Sequence, residues 1–274
     1  MSTAAIAPGK AARSPLQELR LAGHQFRFEL RSFVRNRQAR TFTVILPIVF
    51  LVIFVAVFGN GTVRLPSGTT IKQSTSYVPG LTALGIISAA YANLVVAVVA
   101  QRESGILKRR RAAPVPAWVL IIGRALVAVV VALFMCALLL AIGAGFYGVS
   151  PPTHTIPGVA AAAIVGALAF CCAGYAMASF IRAADSAQPL VQVTMLPLYF
   201  ISGVFVPQTV IPTWLGDVAN IFPVRHLSDA LVTAYDPATV GAGINGGDLA
   251  VLAAWAVGGL LIALARFSWT PRGR

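Results

Sequence analysis

Residues 101–116 read QRESGILKRRRAAPVP and hold the densest polar chemistry in the chain. Arg102 and Glu103 are adjacent, and Lys108, Arg109, Arg110 and Arg111 follow as an unbroken run. Such side chains supply forked or pointed N–H donors and fixed positive charge, which suit carboxylates, phosphates and anionic surfaces. Their neighbourhood is almost bare. No charge occurs from Gln73 to Gln101, and only Arg124 between Ala112 and Ile181. Motifs for bond-making chemistry are missing: the sequence has no GxxxxGK[ST], HExxH, CxxC or GxSxG. His24, His154 and His226 are scattered, so no metal site is expected. Cys136, Cys171 and Cys172 lie in apolar runs without zinc spacing and read as packing residues.

The composition says what surrounds the basic run. Of 274 residues, 58% are hydrophobic and 11% charged, against ~25% charged in an ordinary soluble domain. So much apolar surface cannot be hidden inside a water-soluble globule, and lipid is the implied solvent. The net charge of +13 is clustered beside apolar stretches. That arrangement fits an anionic membrane surface, worth roughly 1 kcal/mol per Lys or Arg. Membrane lipid is therefore an expected partner and nucleic acid is not.

A helix crossing the hydrocarbon needs ~20 mostly apolar residues. Runs of this kind lie near 41–59, 78–101, 118–147, 158–181, 187–206 and 249–267. The third and fourth are separated by GVSPPTHTIPG, whose prolines and glycines stop a helix. The expectation is an all-α integral membrane protein of six transmembrane helices, with residues 41–274 as one permeating body. An uncleaved N-terminus fits, because the first apolar run begins only after Arg40. Six spans put both termini on one side. Eight basic residues within 1–40, the 102–116 segment, Arg124, Arg182 and the C-terminal arginines share that side. By the positive-inside rule it is the cytoplasm.

Residues 1–40 read as a cytoplasmic tail and an interfacial amphipathic helix. Ser14, Pro15 and Gln17 suit a helix start, and Leu16, Leu19, Gly23, Phe26, Leu30 and Phe33 line one face. Residues 207–247 are too polar to cross and read as two short outer helices forming a cap. Small residues at Gly158, Ala162 and Gly166 suit close helix packing.

None of the six runs holds an acid or base near its middle, whereas ion-coupled transporters normally need one. Energy for uphill transport must then come from another polypeptide. The turn ESGILKRRRAA, bounded by Gly105 and Pro114, is a suitable handle for a soluble motor; composition alone leaves equally open that it only anchors topology.

RESGILKRRRAAPVPAWVLIIGRAL resembles the stretch of type-2 ABC transporter permeases in which RE-x-G-x-L-(K/R)-R-x-R-A-x-P leads into the third span. PLYFISGVFVPQTVIPTWLGDVANIFPVRHLSDAL is similar to the fifth span and outer helices of the same family, with its SG-x-x-x-P and FP-x-x-H elements. The closest flavour is the daunorubicin-resistance-type permease of bacterial drug exporters.

The resemblance implies half of a membrane channel in the bacterial cytoplasmic membrane. The other parts are a second permease copy or homologue and two copies of an ABC ATPase subunit, which bind ATP and Mg; this chain binds no cofactor. Segment 102–116 would be the coupling helix, with Arg102, Glu103, Gly105, Leu107, Lys108, Arg109 and Arg111 at the ATPase contact. A pathway lined by spans one, two and five makes Tyr91, Asn93, Tyr199, Phe200, Ser202 and Phe205 the candidates for substrate contact. An apolar, aromatic path suits a hydrophobic or amphiphilic, drug-like substrate. A lipid or polysaccharide exporter, and a non-transporting membrane scaffold, remain as alternatives.

Overall fold

The computed structural model describes residues 15–64, 68–112, 117–206 and 210–266, without the side chains of 15–19, 110–112 and 117–120. Ser14, the Gln17 side chain, residues 113–116 and 207–209, and the Arg111 side chain therefore lie outside the described structure.

Helix α1 (Pro15–Arg35) ends at Asn36, whose side chain accepts from the Ala39 amide at 3.1 Å and caps α2 (Arg37–Arg40). A π turn, Thr41–Ile45, joins α2 to α3 (Leu46–Phe58), giving one apolar helix from Arg37 to Phe58. A short antiparallel hairpin, β1 (Thr62–Arg64) with β2 (Thr70–Lys72), leads into α4 (Gln73–Ile87). A second π turn, Ser88–Ala92, joins α4 to α5 (Asn93–Glu103). Then come α6 (Ile106–Ala112), α7 (Ala117–Ile142) with a π turn to Tyr147, and α8 (Ile156–Phe180). The rest is α9 (Ala187–Ile201), α10 (Thr213–Ala219), α11 (Pro223–Tyr235) and α12 (Gly246–Arg266).

The result is a mostly helical membrane protein. Among the described residues five helices are long and apolar enough to cross a bilayer: Arg37–Phe58, Gln73–Glu103, Ile121–Tyr147, Ile156–Phe180 and Gly246–Arg266. Gln73–Glu103 is the central one, 67% buried along its most apolar window against 17% for Gly246–Arg266. Its neighbours bury Leu81, Ile86, Ile87, Val95 and Val99 completely.

Helix α9 differs from the full-length span expected near 187–206. Its 15 residues extend roughly 22 Å at ~1.5 Å each, short of a ~30 Å hydrocarbon core. Contacts nevertheless fix where this part of the chain goes. Ala184, just before α9, sits at the C-terminal end of α8 with Glu103. Ala234, at the end of α11, accepts from the Thr155 hydroxyl at the N-terminal end of α8, and Ala242 accepts from the Gly158 amide there. Between Ala184 and Ala234 the chain therefore passes from one end of the bundle to the other in broken pieces.

Two short helices, α10 and α11, lie in the segment expected as a cap, and α11 packs into the bundle. Val224, Leu227, Ala230 and Leu231 of α11 are buried against α4, α8 and α12. Gly166 of the small-residue face receives Leu227; a β-carbon there would come within 2.6 Å of its methyl. Apolar helix faces away from the bulk solvent look alike in sequence whether lipid or protein covers them.

Candidate functional site

The RE pair at 102–103 is built on the last turn of α5. Arg102 is 1% exposed. Its Nη1 donates to the Ala178 carbonyl at 3.0 Å, and Nη2 to the carbonyls of Ile181 and, at 3.4 Å, Arg182. These oxygens lie at the C-terminal end of α8, where helix carbonyls lack partners and a cation is favoured. Glu103 is exposed and accepts from the Ala184 amide at 2.6 Å. Two consecutive residues thus hold the α8–α9 junction to the end of α5, one by donating and one by accepting.

Gly105 then turns the chain. Its φ of +73° lies in the left-handed region, and its amide donates to the Arg102 carbonyl at 3.2 Å. No atom lies within 4 Å of where its β-carbon would be, so conformation, not space, requires glycine here. Beyond it α6 divides its side chains. Leu107 is buried at 5% exposure, Ile106 is 41% exposed, and Lys108 and Arg109 face outward.

The pathway candidates separate into distinct surroundings. Asn93 donates to Thr43 Oγ1 at 2.7 Å and so ties the second long helix to the first. Tyr91, on the π turn, packs edge-on to Phe170 with centroids 6.4 Å apart. It lines a groove of about 780 Å³ between α8, α9 and α12, together with Thr194, Leu198 and Trp255. Tyr199, Phe200 and Phe205 meet one another: Phe205 lies 5.6 Å from Tyr199 and 5.4 Å from Phe200. Ser202 is fully buried, its hydroxyl without a partner among the described residues. The turn holding Ser202 and Val204 presses on α4. A β-carbon on Gly80 would lie 2.3 Å from the Val204 carbonyl oxygen.

The structure adds rings that sequence reasoning did not include. Phe205 is also 5.2 Å from Phe50 and 6.3 Å from Phe54, and Phe54 lies 5.4 Å from Tyr77. Phe58 extends this seam along the first long helix. The signal was present, since Phe50, Phe54 and Phe58 recur every fourth residue.

Residues 24–235 match the family described as ABC-2 type transporter. The chain belongs to that family. Over 140 residues, 51% of this chain, it is 29% identical to the protein named probable multidrug ABC transporter permease YbhR of Escherichia coli K12, and that stretch covers 38% of the relative's length. Over 187 residues, 68% of this chain and 72% of the relative, it is 26% identical to inner membrane transport permease YadH of Escherichia coli K12. The protein of that name from Shigella flexneri matches equally. Residues 24–235 of the chain are thus an ABC-2 type transporter domain, and among the described residues five of the chain's helices are long and apolar enough to cross a membrane.

A second polar cluster joins α1 to α7. Glu29 of the amphipathic helix is 8% exposed, not turned to solvent. Its carboxylate meets Arg124 Nε at 3.4 Å and accepts from Gln25 at 2.8 Å, while Arg124 Nη2 donates to Gln101 at 2.7 Å. Helix α1 is therefore bolted to α5 and α7 by charge as well as by Phe26, Leu30 and Phe33. Arg124 stands near the start of the third apolar run, and nothing in the spacing of residues 29 and 124 announces a pair. Cys136, Cys171 and Cys172 are free thiols within the helices.

Proposed function

We propose that this chain is the permease half of an ATP-driven exporter that moves a hydrophobic or amphiphilic, drug-like substrate out across the bacterial cytoplasmic membrane. The observation that carries this is the Arg102–Glu103 connection, found in a chain whose family membership covers residues 24–235. An ATPase subunit seated on α6 presents its force to a helix whose Leu107 is buried and whose Lys108 and Arg109 are available to carboxylates. Movement of α6 is passed through Arg102 and Glu103 to the end of α8 and the start of α9. Helix α9 carries it to Tyr199 and, past the Ser202 turn, to Phe205 and the aromatic seam.

Two ATPase copies, holding ATP and Mg, and a second permease copy or homologue complete the transporter in this reading. Six crossings are made, the fifth by the broken α9–α11 path, and both termini face the cytoplasm. The aromatic seam favours cargo with apolar faces, since rings offer large apolar area and a polarised face. YbhR, the multidrug-named relative, supports a drug-like cargo, and the name of YadH supports the inner membrane.

The test is reconstitution of the permease with the ATPase encoded beside it, followed by ATP hydrolysis across drugs and lipids. Stimulation by amphiphilic drugs, abolished by Glu103→Ala with charge reversal of Lys108 and Arg109, is the expected result. Stimulation by lipids alone removes the drug reading. Hydrolysis and complex formation indifferent to the α6 variants remove coupling at this turn.

A further inference from the structure

The entrance to the first long helix contains a groove that the transport reading does not use. It runs between α1, the Arg37–Phe58 helix and α7 and encloses about 720 Å³, within the ~300–1,000 Å³ typical of ligand sites. Its walls are Leu30 and Val34 of α1, Val44 and Ile45 of the first long helix, and Val130 and Phe134 of α7. Val34, Ile45, Val130 and Phe134 remain 50%, 51%, 42% and 52% exposed, so protein lines the groove without filling it.

Charge sits at one end only. Arg37 and Arg40 border the groove and are exposed. Neither is in an ion pair among the described residues. They stand at the corner where Asn36, with its extended backbone, turns the chain out of α1 and into the long helix. An apolar trough ending in two guanidinium groups matches an amphiphile with a single anionic head. A second protein copy matches it poorly. Among the described side chains at this end of the bundle, Glu29 is engaged with Arg124 and Glu103 with Ala184, which leaves Asp185 as the remaining carboxylate.

We propose that this groove is a binding site for one anionic phospholipid, its phosphate at Arg37 and Arg40 and an acyl chain along Val44, Val130 and Phe134. Basic pockets between membrane helices are suited to lipid headgroups on electrostatic grounds. The lipid packs the first long helix against α7, close to the Glu29–Arg124 pair. Assignment to the cytoplasmic leaflet rests on the orientation proposed above; the site itself does not.

Native mass spectrometry of the purified full chain in detergent tests this, because detergent has no sidedness and orientation cannot influence the result. Phosphatidylglycerol and phosphatidylcholine with identical acyl chains are titrated separately. The native chain is expected to retain phosphatidylglycerol roughly 30-fold better, the scale set by two surface cations. The Arg37→Gln/Arg40→Gln variant is expected to lose that preference, and Arg37→Lys/Arg40→Lys to keep most of it. Val130→Trp, which fills the trough and leaves both arginines, is expected to lose the adduct, with helicity by circular dichroism checking its fold. Equal retention of both lipids by the native chain, or undiminished preference in the Gln variant, overturns the site. Inorganic phosphate binding with the same arginine dependence, while acyl chains add nothing, overturns the lipid assignment.

Discussion

Arg102 Nη1 reaches the carbonyl of Ala178 at 3.0 Å, joining residues 76 positions apart inside the protein. Its guanidinium also donates to the carbonyls of Ile181 and Arg182, so three backbone oxygens at a helix end hold it. The arrangement makes Arg102 a bolt in the body of the permease. The surface of the turn belongs to Lys108 and Arg109.

Arg102→Ala is therefore expected to lower stability by about 3 kcal/mol, given ~1.5–3 kcal/mol for hydrogen bonds to charged groups. Thermal unfolding in detergent measures it. Lys at this position can satisfy one carbonyl but cannot fork across several, so Arg102→Lys should fall between. Glu103 is exposed, and its loss should scarcely move the melting temperature. If the pair transmits force, Glu103→Ala reduces substrate-stimulated ATP hydrolysis while Glu103→Gln, which still offers Ala184 an acceptor, retains most of it.

Gly105→Ala isolates backbone conformation from space, because no atom obstructs its β-carbon. A left-handed alanine costs about 1–2 kcal/mol. The variant is expected to weaken the pull-down of the ATPase partner, and Gly105→Asn, which tolerates that conformation, should restore it. Equal retention by all three chains would show that the turn's geometry is unimportant.

Much of the bundle was legible because long apolar runs have few alternatives. The helices at Gln73–Glu103 and Ile156–Phe180 fall on uncharged tracts bounded by polar or proline-rich segments. Pairing across the sequence was not legible. Glu29 sits on an arginine-rich helix, and nothing local in the sequence marks its partner as Arg124, 95 positions away. Likewise, Leu227 and Leu231 gave α11 an apolar face without saying that α4 and α8 would cover it. Phe205 is a candidate from its place on the fifth apolar run; the rings of Phe50 and Phe54 beside it are marked in the sequence only by their four-residue spacing.

Removing one member of the Glu29–Arg124 pair leaves the other charge buried, with side-chain exposures of 10% for Arg124 and 9% for Glu29. Glu29→Ala is expected to destabilise the protein by about 3 kcal/mol or more. The double replacement Glu29→Leu with Arg124→Met removes both charges and should be less damaging than the single change. A double-mutant cycle read by thermal unfolding gives the coupling; a double variant as unstable as the sum of the singles would mean that the two charges act independently.

Phe205 is the hub of the seam, with Phe50, Phe54, Tyr199 and Phe200 around it. Truncating a fully buried Phe to Ala costs ~3–5 kcal/mol, and Phe205 is only part buried, so about 2 kcal/mol is expected for Phe205→Ala. Phe205→Leu keeps apolar bulk while losing the edge-to-face component of those contacts, and should cost about 1 kcal/mol. On the transport reading, Leu should leave folding near native and shift the concentration of aromatic drug needed for half-maximal ATPase stimulation. A shift that appears equally with aliphatic amphiphiles would assign the seam to packing rather than to cargo contact.

The orientation can be read by placing one reactive thiol at each end of the bundle. Val240 is 96% exposed beside the Thr155 end of α8, and Arg109 is exposed beyond the Arg102 end. Cys136 and Cys171 are buried and Cys172 lies partly covered within α8, so the native thiols give little background with a membrane-impermeant maleimide. In intact cells Val240→Cys is expected to react and Arg109→Cys to react only after permeabilisation. The cations support this direction: α1, Arg102, Arg124 and Arg182 gather at one end of the bundle, and positive charge is retained on the cytoplasmic side. Reaction of both thiols from outside would break the broken-path crossing between Ala184 and Ala234, because these residues would then share a face of the membrane. Reaction of Arg109→Cys alone would invert the protein and remove α6 from the reach of any cytoplasmic ATPase.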